Sequence, residues 1–350
     1  MQKNEYALLY FHEDKVGLSL CKTSETCGAV HIISRQETSF SGFLDGELPE
    51  YTELVPIVQS LATAVFRGVR SRVPLYVQAP DLFCRTIAVD LHESLPVKKI
   101  IGDRELASLL EKGFDRPSGF SIIHRSVLYY NLDGGPPIAK AEGANAKNIS
   151  VNLGITFCDE RFISLMHSVV AGTQFTKTLF VPTSLALANY LIPQELRDSG
   201  TMLLSCDMFS TTLSTVYGDG IAESVTTPFG CAHVIGDLCI VLDIDHVEAE
   251  EILSQVVLSY HGDTEKIVLA TNVIKSRLDE IAEQFEHSLG DGPNQVMHMA
   301  GKGIVKITRV RDYLTKKLGV YVAKTNCPQT GECGSVDTLV RALVKLATRV

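Results

Sequence analysis

The chain opens on short apolar runs rather than on a helical stripe. Tyr6–Tyr10 and Val16–Cys21 are separated by Phe11-His12-Glu13-Asp14-Lys15, which is the pattern of a hairpin. Val30–Ser39 predicts a third strand. Over Tyr51–Arg70 the residues Leu54, Ile57, Val58, Leu61, Ala62 and Val65 recur at helical spacing. Pro74–Ala79 and Leu82–Val89 predict strands, and Ile100, Ile101, Leu106, Leu109 and Leu110 share one side of a predicted helix over Lys98–Glu111. His124–Leu132 predicts a strand ending in the turn cluster Asp133-Gly134-Gly135-Pro136-Pro137. Asn148–Phe157 alternates as a returning strand, and Asp159–Val170 predicts a helix.

The pattern then repeats. After an Ala/Leu-rich helix over Pro182–Leu191, Gly200 precedes two further runs, Thr201–Cys206 and Leu213–Tyr217, which predict a second hairpin. Val247–Leu258 and Glu265–Leu289 predict helices, the latter stopped by Gly290-Asp291-Gly292-Pro293-Asn294. Gln295–Met299 predicts a buried strand and Gly301-Lys302-Gly303 a tight turn. Helices over Val305–Leu318 and Val336–Val350 complete the chain.

Composition narrows the class. With 350 residues, 45% hydrophobic and 21% charged, the chain supports two or three packed units. A formal charge of -9, from 32 Lys and Arg against 41 Asp and Glu, disfavours nucleic acid as a partner. Nine cysteines, running from Cys21 to Cys333 without a CxxC pair, fit reduced thiols in a cytoplasm. Cys21 and Cys27 share their spacing with Cys327 and Cys333, but the short spacing of a zinc knuckle is missing. Met1-Gln2-Lys3-Asn4-Glu5 lacks the features of a signal peptide, and no stretch approaches the ~18 to 20 apolar residues of a spanning helix. A cytoplasmic chain, reaching the inner face of the cell membrane only peripherally, is expected.

Three motifs point to a family. Pro228-Phe229-Gly230-Cys231-Ala232-His233-Val234-Ile235-Gly236-Asp237-Leu238, followed by Val247-Glu248-Ala249-Glu250-Glu251-Ile252, resembles the FtsA stretch P-x-G-G-x-x-I-T-x-D-I-A … A-E-x-I-K. Ile274-Lys275-Ser276-Arg277-Leu278-Asp279-Glu280-Ile281 is similar to its I-I-x-x-R-x-x-E-I. Tyr130-Asn131-Leu132-Asp133-Gly134, with Pro137 and Gly143, resembles its L-D-G … P-x-G segment. The chain therefore resembles the FtsA/PilM branch of the actin-like superfamily. That resemblance implies an α/β, actin-like (ribonuclease H-like) two-lobed fold with a small inserted α+β subdomain. Residues 1–72, completed by 172–199 and 336–350, would form the first lobe and 73–171 the insert. Residues 200–335 would form the second lobe, with 227–293 as its outer helical part.

In such a fold two hairpin turns hold the phosphates of ATP: glycines admit backbone N–H groups, hydroxyls add donors, and acids hold the Mg²⁺ shell. Against the D-x-G-[ST] of the first turn stand Tyr10-Phe11-His12-Glu13. The second turn keeps Asp207, Ser210, Thr211 and Thr212, while Met208 and Phe209 replace glycines. Glu250 matches the acidic adenosine contact, and Leu253 stands in place of a lysine. Gly301 and Gly303 survive around Lys302. The resemblance thus implies ATP with Mg²⁺ as cofactor at Asp207, Ser210, Thr211, Thr212, Glu250, Gly301 and Gly303, and the substitutions predict a pseudo-ATPase without catalytic residues. The chain contains no G-x-x-x-x-G-K-[ST] loop, G-x-S-x-G elbow or H-E-x-x-H pair, and a sugar or acetate kinase would need intact phosphate turns and a catalytic Asp.

Two functions follow from the resemblance. One is an FtsA-like cytoskeletal adaptor in bacterial cell division that self-associates and links a tubulin-like division protein to the membrane. The other is a PilM-like component of a type IV pilus or secretion machine that binds a short peptide of a membrane protein on the insert. The amphipathic tail typical of FtsA has no counterpart here. The last predicted helix, with Arg341, Lys345 and Arg349 four residues apart, reads either as an interfacial helix or as a lobe-connecting helix packed against the first hairpin with its basic face in water.

Overall fold

The computed structural model describes residues 5–12, 14–24, 30–40, 43, 46–67, 72–258, 264–289, 296–301, 303–325 and 336–348. Glu13, Lys302, Cys27, Cys327, Cys333, the 290–294 stop and Arg349, all singled out above, lie outside the described residues.

β1 (Glu5–His12) and β2 (Lys15–Thr23) pair antiparallel with His12 opposite Lys15, so only two residues turn the chain. β3 (Val30–Ser39) continues the meander, and β4 (Leu75–Ala79) and β8 (Thr178–Pro182) add in parallel on the other side. The order is β3-β2-β1-β4-β8. A second sheet repeats this plan. β9 (Thr201–Cys206), β10 (Thr211–Tyr217) and β11 (Gly220–Thr227) form the meander, with β12 (Val296–Gly301) and β13 (Tyr321–Ala323) in parallel, giving β11-β10-β9-β12-β13.

The burial pattern explains the layering. Ala7, Leu9 and Phe11 of β1 enter one core while Tyr6, Leu8 and Tyr10 enter another, so a strand covered on both faces reads as a continuous apolar run. The second of these cores is a middle layer shared by the lobes. There α4 (Thr183–Leu191) and α10 (Val336–Ala347) place Leu185, Leu343 and Val344 between Leu8 of the first sheet and Leu203 and Val216 of the second. α10 is thus a helix packed between the lobes, its apolar positions buried in protein. Its interfacial alternative is not adopted.

The outer faces are covered separately. α1 (Tyr51–Phe66) and α3 (Glu160–Val170) close the first sheet. α6 (Cys231–Leu242), α7 (His246–Gln255), α8 (Glu265–Phe285) and α9 (Val310–Leu318) close the second. α8 buries Ala270, Ile274, Leu278, Ile281 and Phe285 along one stripe, at about 1.5–3 kcal/mol per large side chain. Its N-terminus is capped by Thr264, whose hydroxyl accepts from Ile267 N–H at 3.3 Å.

The third sheet belongs to the insert, with β5 (Cys84–Ile100), β7 (Asn145–Asp159) and β6 (Phe120–Leu132) in the order β5-β7-β6. Val151, Leu153, Ile155 and Phe157 of β7 pack with Leu109 of α2 (Asp103–Leu110). On the opposite face a Cβ at Gly154 would lie 2.1 Å from the carbonyl oxygen of Ile221, so glycine lets the insert sheet dock on β11. Tyr129 and Tyr217 meet edge-on beside it, with ring centroids 5.3 Å apart.

Several elements differ from the sequence-based expectations. β5 runs on to Ile100, where Lys99 still pairs with Ala146, and α2 starts only at Asp103 rather than near Lys98. α1 ends at Phe66 because Arg67 turns left-handed at φ 44, short of Arg70. The helix expected from Val305 is a single 3-10 turn at Gly303–Lys306, then α9 from Val310 after a left-handed Arg309 at φ 69. β8, β11, β13, α6 and the short α5 (Gln194–Asp198) were not anticipated as elements. Among the described residues no helix is long and apolar enough to cross a membrane.

Candidate functional site

The two hairpin turns face each other across the gap between the first two sheets. Phe11 from the β1 side and Asp207, Phe209, Ser210 and Thr212 from the β9–β10 loop line one narrow void, together with Phe43, Gln78, Asp81 and Thr183. The space left is about 30 Å³, enough for bound water. Phe209 crosses from the second lobe to pack against the core of the first, beside the ring cluster of Phe11, Phe43, Phe83 and Phe162.

Several backbone donors around the void are engaged inside the protein. Asp207 N–H donates to Ser210 O at 2.8 Å, and Met208 N–H to the Asp207 carboxylate at 2.8 Å. At the start of α6, Cys231 N–H donates to Asp207 O at 3.0 Å and Ala232 N–H to Met208 O at 2.9 Å. On the facing turn, Phe11 N–H donates to Gln78 Oε1 at 2.7 Å, and Gln78 Nε2 donates to Thr183 Oγ1 at 3.0 Å. A helix N-terminus whose N–H groups already bind carbonyls has lost its usual attraction for an anion.

Asp81 was not foreseen as part of this site. It lies in the 3-10 turn Asp81–Phe83 after β4, and its carboxylate accepts from Ser184 N–H at 3.1 Å and Ser184 Oγ at 2.6 Å. Burial, and to a smaller extent the charge of Asp207 across the void, push its pKa up to about 6. The signal that could have exposed this corner was Gln78, a fully buried polar residue in the otherwise apolar strand Leu75–Ala79. Nothing local reveals its pairing partners more than a hundred positions away.

The remaining predicted residues fall in different places. Thr211 is buried with its hydroxyl donating to Phe229 O at 2.7 Å, so it faces the protein and not the void. Gly301 and Gly303 have positive φ, 114° and 63°. A Cβ at the first would lie 1.7 Å from Cys206 O and at the second 2.0 Å from Cys231 Sγ, so close packing alone requires glycine at both positions. Burial, with a smaller contribution from Cys231, holds the Cys206 thiol near a pKa of about 12, which keeps it protonated. Glu250 and Gly303 line a second cavity of about 700 Å³, outside the void, with Met208, Phe209, Ile235, Leu253 and Ile307. Among the described residues no group of three or more His, Cys, Asp or Glu is placed to hold a metal ion.

A groove lies elsewhere, between β6 of the insert and the α4–α5 region. Its volume is about 610 Å³, and His124, Arg125, Leu128, Asn189, Asp198 and Asp219 are among its lining. Arg197, 3% exposed, fixes one wall. Its guanidinium donates to Ile192 O at 3.1 Å, Gly218 O at 2.8 Å and Asp219 Oδ1 at 2.9 Å, and also to Asn189 and Gln194.

No protein-family model and no curated protein matches the sequence. Solved structures do match. A PilM-PilN type IV pilus biogenesis complex is 16% identical with a TM-score of 0.63, covering 99% of this chain and 98% of that one. MreB 5 of Spiroplasma citri bound to AMPPNP is 9% identical with a TM-score of 0.55, covering 99% and 98%. The ethanolamine utilization protein EutJ from Carboxydothermus hydrogenoformans is 14% identical with a TM-score of 0.50, covering 98% and 89%. The chain has the actin-like ATPase fold.

Proposed function

We propose that this chain is a cytoplasmic actin-fold adaptor that acts by binding a partner protein and not by turning over ATP. The observation that carries the reading is the 30 Å³ void where two open phosphate turns would be required, set against an open 610 Å³ groove on the insert. On this proposal residues 1–72 with 172–199 and 336–350, and residues 200–335, form two lobes locked together, while 73–171 carries recognition. Asp207, Ser210, Thr212, Glu250, Gly301 and Gly303 are remnants of a nucleotide site; ATP and Mg²⁺ are not required for the adaptor's work.

The partner is a short extended peptide from a membrane protein, taken up in the groove between β6 and the Arg197-braced wall. The fold likeness to a chain solved in a pilus biogenesis complex supports this choice. A fixed, pre-organised wall reduces the ordering cost of peptide binding. A second reading, a division adaptor joining a tubulin-like protein and capable of self-association, is favoured by a different observation. Ile240, 82% exposed, and Val241 border a groove of about 350 Å³ between α6 and α8, in the segment that resembles FtsA. Both readings place the chain at the inner face of the membrane through its partner.

Calorimetry with an N-terminal peptide of a pilus membrane protein and with the C-terminal tail of a tubulin-like division protein separates them. Pilus-peptide binding that is lost in Arg125→Glu supports the first. Tail binding that is lost in Ile240→Glu favours the second, and Mg-ATP hydrolysis by the wild type would contradict both.

A further inference from the structure

We propose that Cys84 and Cys158 close into a disulfide when the chain meets a small oxidising disulfide, stapling the insert at the two points where it joins the first lobe. The proposal is independent of what the groove on the insert binds. Cys84 opens β5, Cys158 lies one residue before the end of β7, and the two are direct cross-strand partners in the antiparallel ladder. Partners of that kind hold their Cα atoms about 4.5 or 5.5 Å apart, and a disulfide accepts Cα separations of about 4.4–6.8 Å. The backbone spacing therefore suits the bond. Side chains on this face of the ladder do meet. The next pair along it, Thr86 and Thr156, stands 3.1 Å apart from Oγ1 to Oγ1. The Cys158 thiol lies against that of Cys84 and, together with burial, pushes the Cys84 thiol well above the usual thiol range.

The position gives the bond its consequence. Cys84 follows the 3-10 turn Asp81–Phe83, whose Asp81 carboxylate accepts from Ser184 Oγ and whose Phe83 ring stacks on Phe162 of α3 at 5.0 Å. Cys158 precedes Asp159, the N-cap of α3. Both connections of the insert thus pass through this pair. On its other side Cys158 is the partner of Ser121 in β6, next to the groove residues Ile122 and Ile123, so the bond ties the end of that wall to the core of the first lobe. Cys158 is buried and Cys84 only partly so, which makes Cys84 the point of entry. Its thiolate attacks one sulfur of the oxidant RSSR, giving a mixed disulfide on Cys84 and releasing RSH once the thiolate leaving group takes up the proton. The Cys158 thiolate then attacks Cys84 Sγ and releases the second RSH, so two thiols are oxidised and one RSSR is reduced. Because the thiolate is the nucleophile, the raised Cys84 pKa makes closure slow and faster in alkali. In a reducing cytoplasm the pair rests as the dithiol.

The test treats the full, folded chain with excess cystamine, a small symmetric disulfide, at pH 8, followed by peptide mapping without reductant and a thermal scan. A cross-linked peptide containing Cys84 and Cys158 is expected. The treated chain should melt at least about 3 °C above its reduced form, because the bond closes a long loop in the unfolded chain, and dithiothreitol should reverse the shift. Cys84→Ser and Cys158→Ala should each lose both the cross-link and the shift. Each variant is compared with its own reduced form, so a change in its starting stability does not disturb the result. A folded chain that yields no such peptide, a link from Cys84 or Cys158 to other cysteines in its place, or a link formed only after unfolding in urea would each overturn the proposal. A cross-linked chain with unchanged Tm, or a shift kept in both variants, would overturn the bond's role as a staple.

Discussion

The two hairpins that face each other across the cleft share a plan and differ in chemistry. β1–β2 turns in two residues and delivers an aromatic ring, whereas β9–β10 uses the four-residue stretch Asp207–Ser210 and delivers a carboxylate, hydroxyls and a second ring. The strands are constrained because both faces of each central strand are buried, so a register slip would exchange one core for another. The turns carry no such two-sided burial. The strand plan therefore repeats while the turn chemistry does not, and the rings of Phe11 and Phe209 line the interlobe gap.

The largest effect should come from the first ring. Phe11 is buried and touches Phe43 at 4.7 Å and Phe40 at 5.9 Å between centroids. Phe11→Ala is expected to cost about 3–5 kcal/mol in urea unfolding. The half-buried Phe209 should lose about 1–2 kcal/mol on the same change, because the loop can collapse into the space. Equal losses would break the distinction between a core ring and a ring that closes a site.

Asp81 sharpens the comparison through pH. Its folded-state pKa of about 6 lies above the usual 3.8, so the folded protein holds a proton that the unfolded chain has already released. Stability therefore falls as pH rises from about 4 to 6, and the full penalty persists above that window. Replacing the carboxylate by an amide removes the penalty but weakens the bonds from Ser184. Asp81→Asn is expected to stabilise the protein by about 1–2 kcal/mol at pH 8 and to leave it unchanged or weaker at pH 4. A shift of Tm of the same sign and size at both pH values would mean that burial does not raise the Asp81 pKa in the folded protein.

What the sequence revealed follows the same division. Both hairpins, the insert between them and the existence of the last helix were legible, because apolar periodicity records burial and burial is what organises these layers. Which of its two readings that helix takes is decided by its contacts with α4 and β1. The end of β5 was not. Ile100 and Ile101 fit a helical stripe with Leu106, and only cross-strand pairing of Lys99 with Ala146 shows that a strand continues there. β13, three residues long, and β11, rich in Ser and Thr, are held by neighbours rather than by propensity. At the site, the loss of the first turn's glycine was visible in Tyr10-Phe11-His12, yet the filling of the gap was not. That required the contact of Phe209 with a core built from residues far away in the chain.

The smallest stability effect is expected at Glu250, and that is its value. Its side chain is about half exposed, and among the described residues its ion-pair partner is His246 at 3.7 Å, an exposed i,i+4 contact of little net strength. Glu250→Ala should therefore leave Tm within about 1 °C of the wild type in a thermal scan at pH 7.5. If the open end of the cleft is only cavity wall and its closed end a packed junction, this substitution leaves the stability untouched. Phe11→Ala does the reverse, weakening the fold while leaving that cavity's lining in place. Finding that Glu250→Ala destabilises the chain by as much as a core change would make the acid part of the scaffold, and the two ends of the cleft would no longer differ in kind.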